Sequence, residues 1–431
     1  MTGCGSAGDE PAAAGTTSQA SGFLAQEGYS VPAQWEPQES VWVASWVAAY
    51  SEPLFPMDNV VTEVAQALTR HLPINLMVQS SDEEASLRTT LSAAGVDLSR
   101  VRFRAIEHND FWMRDTAGIF SRNRRGELGV IDWGYDTWSY DSYTNDYSQH
   151  DERIDRDVAR TVGVPAFRCG MVHEGGDTDV DGHGTAIVTE AVERMRNPNM
   201  TVPEMESELK RCYGVRQVIW LPEGVLEDDA TFRGVLPGGI LTAGATNGHV
   251  DEYVRFAPNN TILLAQVRPE DMRTGDAAAN RRAQINNQRM EANYRILSRA
   301  RDAQGRPYRI VRLPVAEADL FDLRPGEPFY DTFLSLSPLE DGTVLRDGDT
   351  LHMISTTSYL NFFVSNGVVL MPSYAESIGT PAAIRKDREV YDTLRAVFPG
   401  REVVRLRYAL GANRGAGGPH CMTQQQPLAS P

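Results

Sequence analysis

Lysine is nearly absent from this chain: among 41 basic residues only Lys210 and Lys386 are lysines, so the positive charge is almost wholly guanidinium. Positive charge is itself in short supply, with a net charge of -17. Phosphate backbones and anionic membrane surfaces are therefore repelled, which excludes nucleic acid as a partner, while a cationic small molecule or side chain is attracted. Cysteine is also scarce. Cys4, Cys169, Cys212 and Cys421 form no CxxC and no metal-ligand spacing; this argues against a zinc site or a dense disulfide framework and assigns Cys169 and Cys212 to the core. No apolar run reaches membrane-spanning length.

Residues 1–30 open on a small, polar stretch, 1–22, that is almost free of large apolar side chains and cannot bury enough surface to fold, so they read as a disordered tail. Within it, Thr2-Gly3-Cys4 resembles the end of a bacterial lipoprotein cleavage box, which gives the expectation of an exported protein tethered to a membrane through a lipid on Cys4. An ordinary cytoplasmic tail is the alternative. From residue 31 to 431 the composition suits one large globular domain, with folding expected to begin near Trp35.

Hydrophobic periodicity divides that domain into repeats. Near its start, strands at Glu39–Trp46, Ile74–Gln79 and Val101–Ile106 alternate with helices at Asn59–His71 and Ser81–Ala94. Four units of hairpin, helix and strand follow. The first has strands Asp110–Phe120 and Gly129–Trp133, a helix at Asp151–Val162 and a strand at Ala166–Val172; the fourth pairs Tyr359–Val364 with Val368–Met371 through Asn366-Gly367, a strong hairpin signal. With a partial fifth unit shared by the two chain ends, the pattern implies a pseudo-symmetric, radial α/β fold.

The residues that open each unit carry chemistry. They are Trp112 and Asp115 in FWMRD, Glu174 in HEGGD, His249 and Asp251 in GHVDE, Asn361 in SYLNF, and Cys421 in the final GGPHCMTQQQP. A lone Cys near the end of a chain reads as a small buried hydrophobe unless partners converge on it. Equivalent positions of radial units do converge, and His249 and Asp251, two apart on an expected strand, share a face. Two carboxylates can each hold N–H groups of a planar guanidinium, His249 can move protons, and a thiolate can attack the central carbon. Loss of ammonia would leave a thiouronium that water releases as a ureido product. No metal and no organic cofactor is required.

These motifs, with DGHGT (Asp181–Thr185), RNP (Arg196–Pro198), WLP (Trp220–Pro222) and TNGHVD (Thr246–Asp251), resemble the agmatine deiminase and Porphyromonas-type peptidylarginine deiminase family over about Trp35 to Pro427. The resemblance implies the pentein fold, an α/β-propeller of five ββαβ units, and a hydrolase of guanidino C–N bonds that is commonly dimeric or larger. It implies Asp115 and Asp251 as guanidinium carboxylates, His249 as general acid and base, Cys421 as nucleophile and Glu174 as the carboxylate beside the His. Trp112, Asn361 and Gly418 match substrate-pocket positions.

Three departures bear on the substrate. The loop before the nucleophile reads GAGGPHC where the family has GGGNIHC, so Gly418 and Pro419 replace Asn and Ile. Extra segments lie at Ala230–Ala245 and Phe321–Asp349, either of which could reshape the pocket mouth. The acidic, aromatic stretch Gly134–Glu152 has no Arg and suits an amine tail, giving agmatine as the expected substrate. Arginine side chains of peptides are the alternative, and a surface-anchored binder with an inactive pocket is the third reading. Asp177, Asp179 and Asp181 imitate half of a calcium loop, but Val188 stands where the bidentate Glu belongs, favouring a polar turn. His173 and His183 read as turn residues, His420 as a residue behind the site, and the Arg-rich Arg281–Arg301 helix as a solvated face.

Overall fold

The structure is a computed structural model that describes residues 27–45, 54–140 and 148–429. Cys4 and nearly all of the expected tail, Trp46 at the end of the first expected strand, and residues 141–147 of the acidic loop lie outside the described residues. Packing begins earlier than Trp35. Tyr29 is buried with its ring 5.1 Å from that of Phe167, Ser30 bridges to Arg122, and the Val31 amide donates to the Tyr213 carbonyl.

Five of the six sheets among the described residues repeat one unit: an antiparallel pair of strands, with a third strand parallel to one of them and joined to it by a single helical crossover. In the first, Ile119–Arg122 pairs with Leu128–Gly134 and then Ala166–Val172, with helix Ile154–Val162 in the crossover. In the second, Thr178–Val180, Thr185–Thr189 and Gln217–Leu221 carry helix Val202–Tyr213. Helix Ala277–Leu297 serves Val254–Ala257, Thr261–Gln266 and Arg309–Pro314, and helix Pro381–Val397 serves Phe363–Ser365, Val368–Pro372 and Glu402–Leu406. The last sheet joins the chain ends, because Gln424–Pro427 lies antiparallel to Gln38–Ala44, which runs parallel to Ile74–Val78 and so to Val101–Ala105. The protein is thus mixed α/β, and no ladder links the five sheets into a closed one among the described residues.

Local chemistry explains these elements. Thr201 and Glu204 form a capping box, Ser80 and Thr380 accept from the first-turn amides of their helices, and Gly163 and Gly214 end helices in the left-handed conformation. Central strands such as Thr185–Thr189 are buried throughout, as strands covered on both faces must be.

Two expected strands begin instead as turns and become extended only at Ile119 and Val254. Asp110–Phe120 does not run extended: the Trp112 carbonyl accepts from the amides of Asp115 and Thr116, closing the helical turn Met113–Thr116. Likewise His249 precedes a 3-10 turn, Val250–Glu252, rather than lying on a strand with Asp251.

The two inserted segments meet. Leu241–Thr242 pairs parallel with Leu351–Ile354, which pairs antiparallel with Leu320–Leu323, forming a sixth sheet with its own core of Leu241, Phe321, Leu323, Tyr330, Phe333 and Met353. Tyr140 anchors this unit by donating to the Ala245 carbonyl at 2.8 Å. The Arg-rich helix is only partly a solvated face, since buried Arg282 donates to the Pro237 carbonyl and Arg289 forks onto Asp229.

Cys169 and Cys212 are in the core, but as a disulfide across a separation of 43 residues, tying strand Ala166–Val172 to helix Val202–Tyr213. Distant spacing gave the sequence no sign of that pairing. Replacing both with Ser is expected to cost about 2–4 kcal/mol, read as a lower urea midpoint under non-reducing conditions that coincides with the reduced wild-type protein; an unchanged midpoint would count against the bond.

Candidate active site

Building from the chain end, helix Ala409–Asn413 leads into a loop held by Asn413 Nδ2, which donates to the Gly417 carbonyl at 2.9 Å. Glycine is required at the next two positions. A Cβ on Gly417 would lie 2.4 Å from the Trp112 ring, and one on Gly418 would lie 2.6 Å from Asn361 Oδ1. The altered loop therefore leaves room for the Asn361 amide, whose Oδ1 accepts from the amides of His420 (2.9 Å) and Cys421 (3.3 Å). Its Nδ2 donates to Cys421 Sγ at 2.9 Å and to Glu252 Oε1 at 2.6 Å. The Cys421 carbonyl accepts from the Arg114 amide, and the thiol is free and only 4% exposed.

In the Met113–Thr116 turn, positions 112 and 115 lie on one helical face, so Trp112 and Asp115 line the same cavity as Cys421. Asp115 accepts from the Gly176 amide at Oδ1 and from Trp138 Nε1 at Oδ2, both at 2.9 Å. Gly176 cannot carry a side chain, because its Cβ would meet His249 Nδ1 at 2.4 Å. His249 Nε2 is 3.2 Å from Glu174 Oε2, while Nδ1 has no hydrogen-bond partner and lies 4.0 Å from Asp115 Oδ2. Asp251 Oδ2 lies 2.6 Å from His420 Nδ1 and 3.4 Å from Cys421 Sγ; its Oδ1 has no partner. The structure thus gathers Trp112, Asp115, Glu174, His249, Asp251, Asn361, Gly418 and Cys421, contributed by distant stretches of chain, around one thiol.

Burial and unlike charges set the protonation. Burial disfavours charge on Glu174, yet Arg196, with Nε at 2.7 Å, and His249 hold its carboxyl at about 2. Burial likewise opposes the His249 cation, but Asp115, Glu174 and Asp251 push it up to about 9. Asp251 is raised to about 7, first by burial and then, against the pull of His249, by Asp115. Burial and the fields of Asp251, Glu252 and Asp115 push the Cys421 thiol well above its usual range. The empty site therefore holds a neutral thiol and a charged imidazole, and a cation placed between Asp115 and Asp251 would cancel the field that keeps the thiol protonated.

Several contributors had a weak sequence signal or none. Asp228 fixes the His249 loop, its Oδ2 accepting from the amides of Gly248 and His249 at 2.9 Å. Arg196 stands in the RNP motif and Glu252 follows Asp251, which are signals in retrospect. Gln34 has none: its Nε2 lies 2.8 Å from His420 Nε2, so a neutral His420, with burial first and then Arg114 holding its pKa down, donates through Nδ1 to Asp251. His173 is not a turn residue but is fully buried, 2.6 Å from Glu193 Oε1 and 2.8 Å from the Tyr213 hydroxyl, whereas His183 is an exposed turn residue.

Metal ligation finds little support. Asp251, Glu252 and Cys421 have ligand atoms within 4.8 Å of one another, but the Asn361 amide directs N–H groups at two of them. The calcium-like acids diverge: Asp177 accepts from Thr189 and Val250, Asp179 from Arg255 and Phe256, and Asp181 from His183 and Thr185.

The cavity over the thiol has a volume of about 70 Å³. Thr137, Trp138 and Tyr140 of the acidic loop line it, and both insertions reach it, through Ala243 and Gly244 and through Phe329 and Phe333. An arginine is present after all, as Arg414, but Asp319 forks onto it at 2.8 and 3.1 Å. Thr137, Trp138, Phe329 and Ala416 all have positive φ, so left-handed backbone at non-glycine residues concentrates on this wall.

The chain is similar to known proteins over most of its length. The chain is 30% identical over 416 residues to the agmatine deiminase of Stutzerimonas stutzeri, covering 93% of this chain and 96% of that protein, and 30% identical over 418 residues to the agmatine deiminase of Medicago truncatula, with the same coverage. Among solved structures, agmatine deiminase of Enterococcus faecalis superposes with a TM-score of 0.72 at 24% identity, covering 95% of this chain and 99% of that one. The putative arginine deiminase of Porphyromonas gingivalis gives 0.67 at 23% identity, covering 93% and 99%. Residues 30–427 match the family described as Porphyromonas-type peptidyl-arginine deiminase, and the chain belongs to that family.

Proposed function

We propose that this protein is a guanidine deiminase, a hydrolase of guanidino C–N bonds, that converts agmatine to N-carbamoylputrescine and ammonia. The observation that carries this reading is a buried free thiol 3.4 Å from Asp251, in one cavity with Asp115 and backed by the His249–Glu174 pair. The guanidinium lies between Asp115 and Asp251, whose unpartnered Oδ1 is available to it. Its charge favours the thiolate, which adds to the central carbon. His249, held at Nε2 by Glu174, gives its Nδ1 proton to the leaving nitrogen, the C–N bond breaks, and ammonia departs. Neutral His249 then takes a proton from water and hydroxide adds to the thiouronium carbon; as the C–S bond breaks, the adduct's hydroxyl proton passes to the departing sulfur, giving the ureido product and restoring the thiol whose own proton went to solvent when the guanidinium bound.

Agmatine is favoured over the arginine of peptides because the arginine in the cavity wall, Arg414, is already paired with Asp319 and offers little to a carboxylate. The Asn361 amide in the space beside Gly418 supports a working nucleophile loop over an inactive binder. We read the five repeated sheets as blades about one axis, the pentein arrangement, within one catalytic domain that follows the tail. A buried disulfide suits an exported protein, in keeping with a tether at Cys4.

Ammonia release from agmatine, free arginine and arginine peptides tests the reading. Cys421→Ala and His249→Ala should each lower agmatine turnover by at least about 10³-fold; retained turnover in Cys421→Ala would defeat the covalent scheme. The pH profile of kcat/KM should rise with pH as Asp251 ionises at about 7 and fall as His249 loses its proton at about 9. A flat profile between pH 6 and 10 would sink these assignments. Gly176→Ala, which would press on His249 Nδ1 and Asp115, should keep the circular dichroism of the fold yet lose about 10²-fold in kcat/KM.

A further inference from the structure

One carboxyl in the site has no task in that scheme. Glu252 is 2% exposed; its Oε1 accepts from Asn361 Nδ2 at 2.6 Å and stands 3.8 Å from Cys421 Sγ, while Oε2 has no hydrogen-bond partner. Glu252 also lines a second cavity, of about 40 Å³, that shares no lining residue with the cavity over the thiol. Its wall grades from exposed Ala318 and half-buried Ala316 and Thr357 to buried Ser358 and Glu252, so it runs from the surface to the back of the thiol. Polar groups follow the same line. Asn286 Nδ2 donates to Glu227 Oε2 at 2.7 Å, and Ser358 Oγ donates to the Glu252 carbonyl at 2.6 Å.

Deimination moves two small molecules between its half-reactions. Ammonia must leave and water must enter while the rest of the substrate is bonded to Cys421 and fills the front cavity. That front wall is rich in aromatic rings, with Trp138, Tyr140, Phe329 and Phe333 among them, and offers few partners to water or ammonia. We propose that the rear cavity is the route by which ammonia leaves and hydrolytic water reaches the Cys421 adduct, with Glu252 and Asn361 as its gate. The passage rests on the deiminase reading and adds to it a role for Glu252 as a positioning residue. Nothing in the balance of the reaction changes: one C–N bond and both water O–H bonds break, a carbonyl C=O bond and an ammonia N–H bond form, the second proton leaves with the ammonia as ammonium, and the C–S bond is made and broken between.

Filling the passage away from the thiol tests this. Ala316→Phe, with Thr357→Leu as a second filling variant, is compared with wild type in rapid-quench mass spectrometry of the Cys421 adduct and in steady-state ammonia release from agmatine. The expected result is adduct formation within about twofold of wild type, ammonia release lowered at least about tenfold, and the thiouronium adduct as the main enzyme species in steady state. Glu252→Gln should also accumulate adduct. Folded filling variants that release ammonia at the wild-type rate without adduct would overturn the proposal, as would an equal loss in both half-reactions. Should Ala316→Phe fail to fold, Thr357→Leu decides. A wild-type enzyme that forms neither adduct nor ammonia, while a haloacetamidine still labels Cys421, strikes the deiminase reading itself and removes the passage with it.

Discussion

The structure turns on a concentration of negative charge placed where water cannot screen it. Asp115, Glu174, Asp251 and Glu252 are all buried around one thiol. Charges so placed are costly unless each finds a partner, because desolvation rivals the gain from pairing. Only Glu174 is compensated in full, between Arg196 and His249. Asp251 and Glu252 each keep an oxygen with no partner. Such a site is completed by a cation, and on the deiminase reading that cation is the substrate, so binding and activation of the nucleophile are one electrostatic event.

The rest of the fold keeps those charges in place. Arg255, buried and stacked on Phe362, bonds Asp179, Gln34 and the carbonyls of Leu360 and Phe362. Through Gln34 it orients His420, and through His420 it orients Asp251. Asp228 does the same for the backbone of His249. Gly176, Gly417 and Gly418 serve by omission, since a Cβ at any of them would occupy space that His249, Trp112 or Asn361 fills.

Around that rigid centre the wall of the cavity is built from segments far apart in the chain. Two insertions about eighty residues apart pair into one small sheet and bring Phe329 and Phe333 over the thiol beside Trp138. Left-handed backbone at Thr137, Trp138, Phe329 and Ala416 is tolerated because packing over-determines it. Phe329, for example, packs its ring edge-on against Phe55 at 5.2 Å.

The sequence by itself determined the repeating order of strands and helices, since periodicity and capping residues are local properties, and it marked Trp112, Asp115, Glu174, His249, Asp251, Asn361 and Cys421, though not Glu252, because those residues stand in short motifs. What it could not give were properties of contact between distant segments. The helical turn at Trp112–Thr116 and the 3-10 turn after His249 replace expected strands because backbone bonds there close locally while the side chains face a shared centre. The Cys169–Cys212 bond, the sixth sheet, the Gln34–His420 contact and the burial that shifts Asp251 and Cys421 in pKa depend on positions far apart in the chain. Only the tertiary structure decided them, because desolvation and charge pairing follow distance in space rather than separation in sequence.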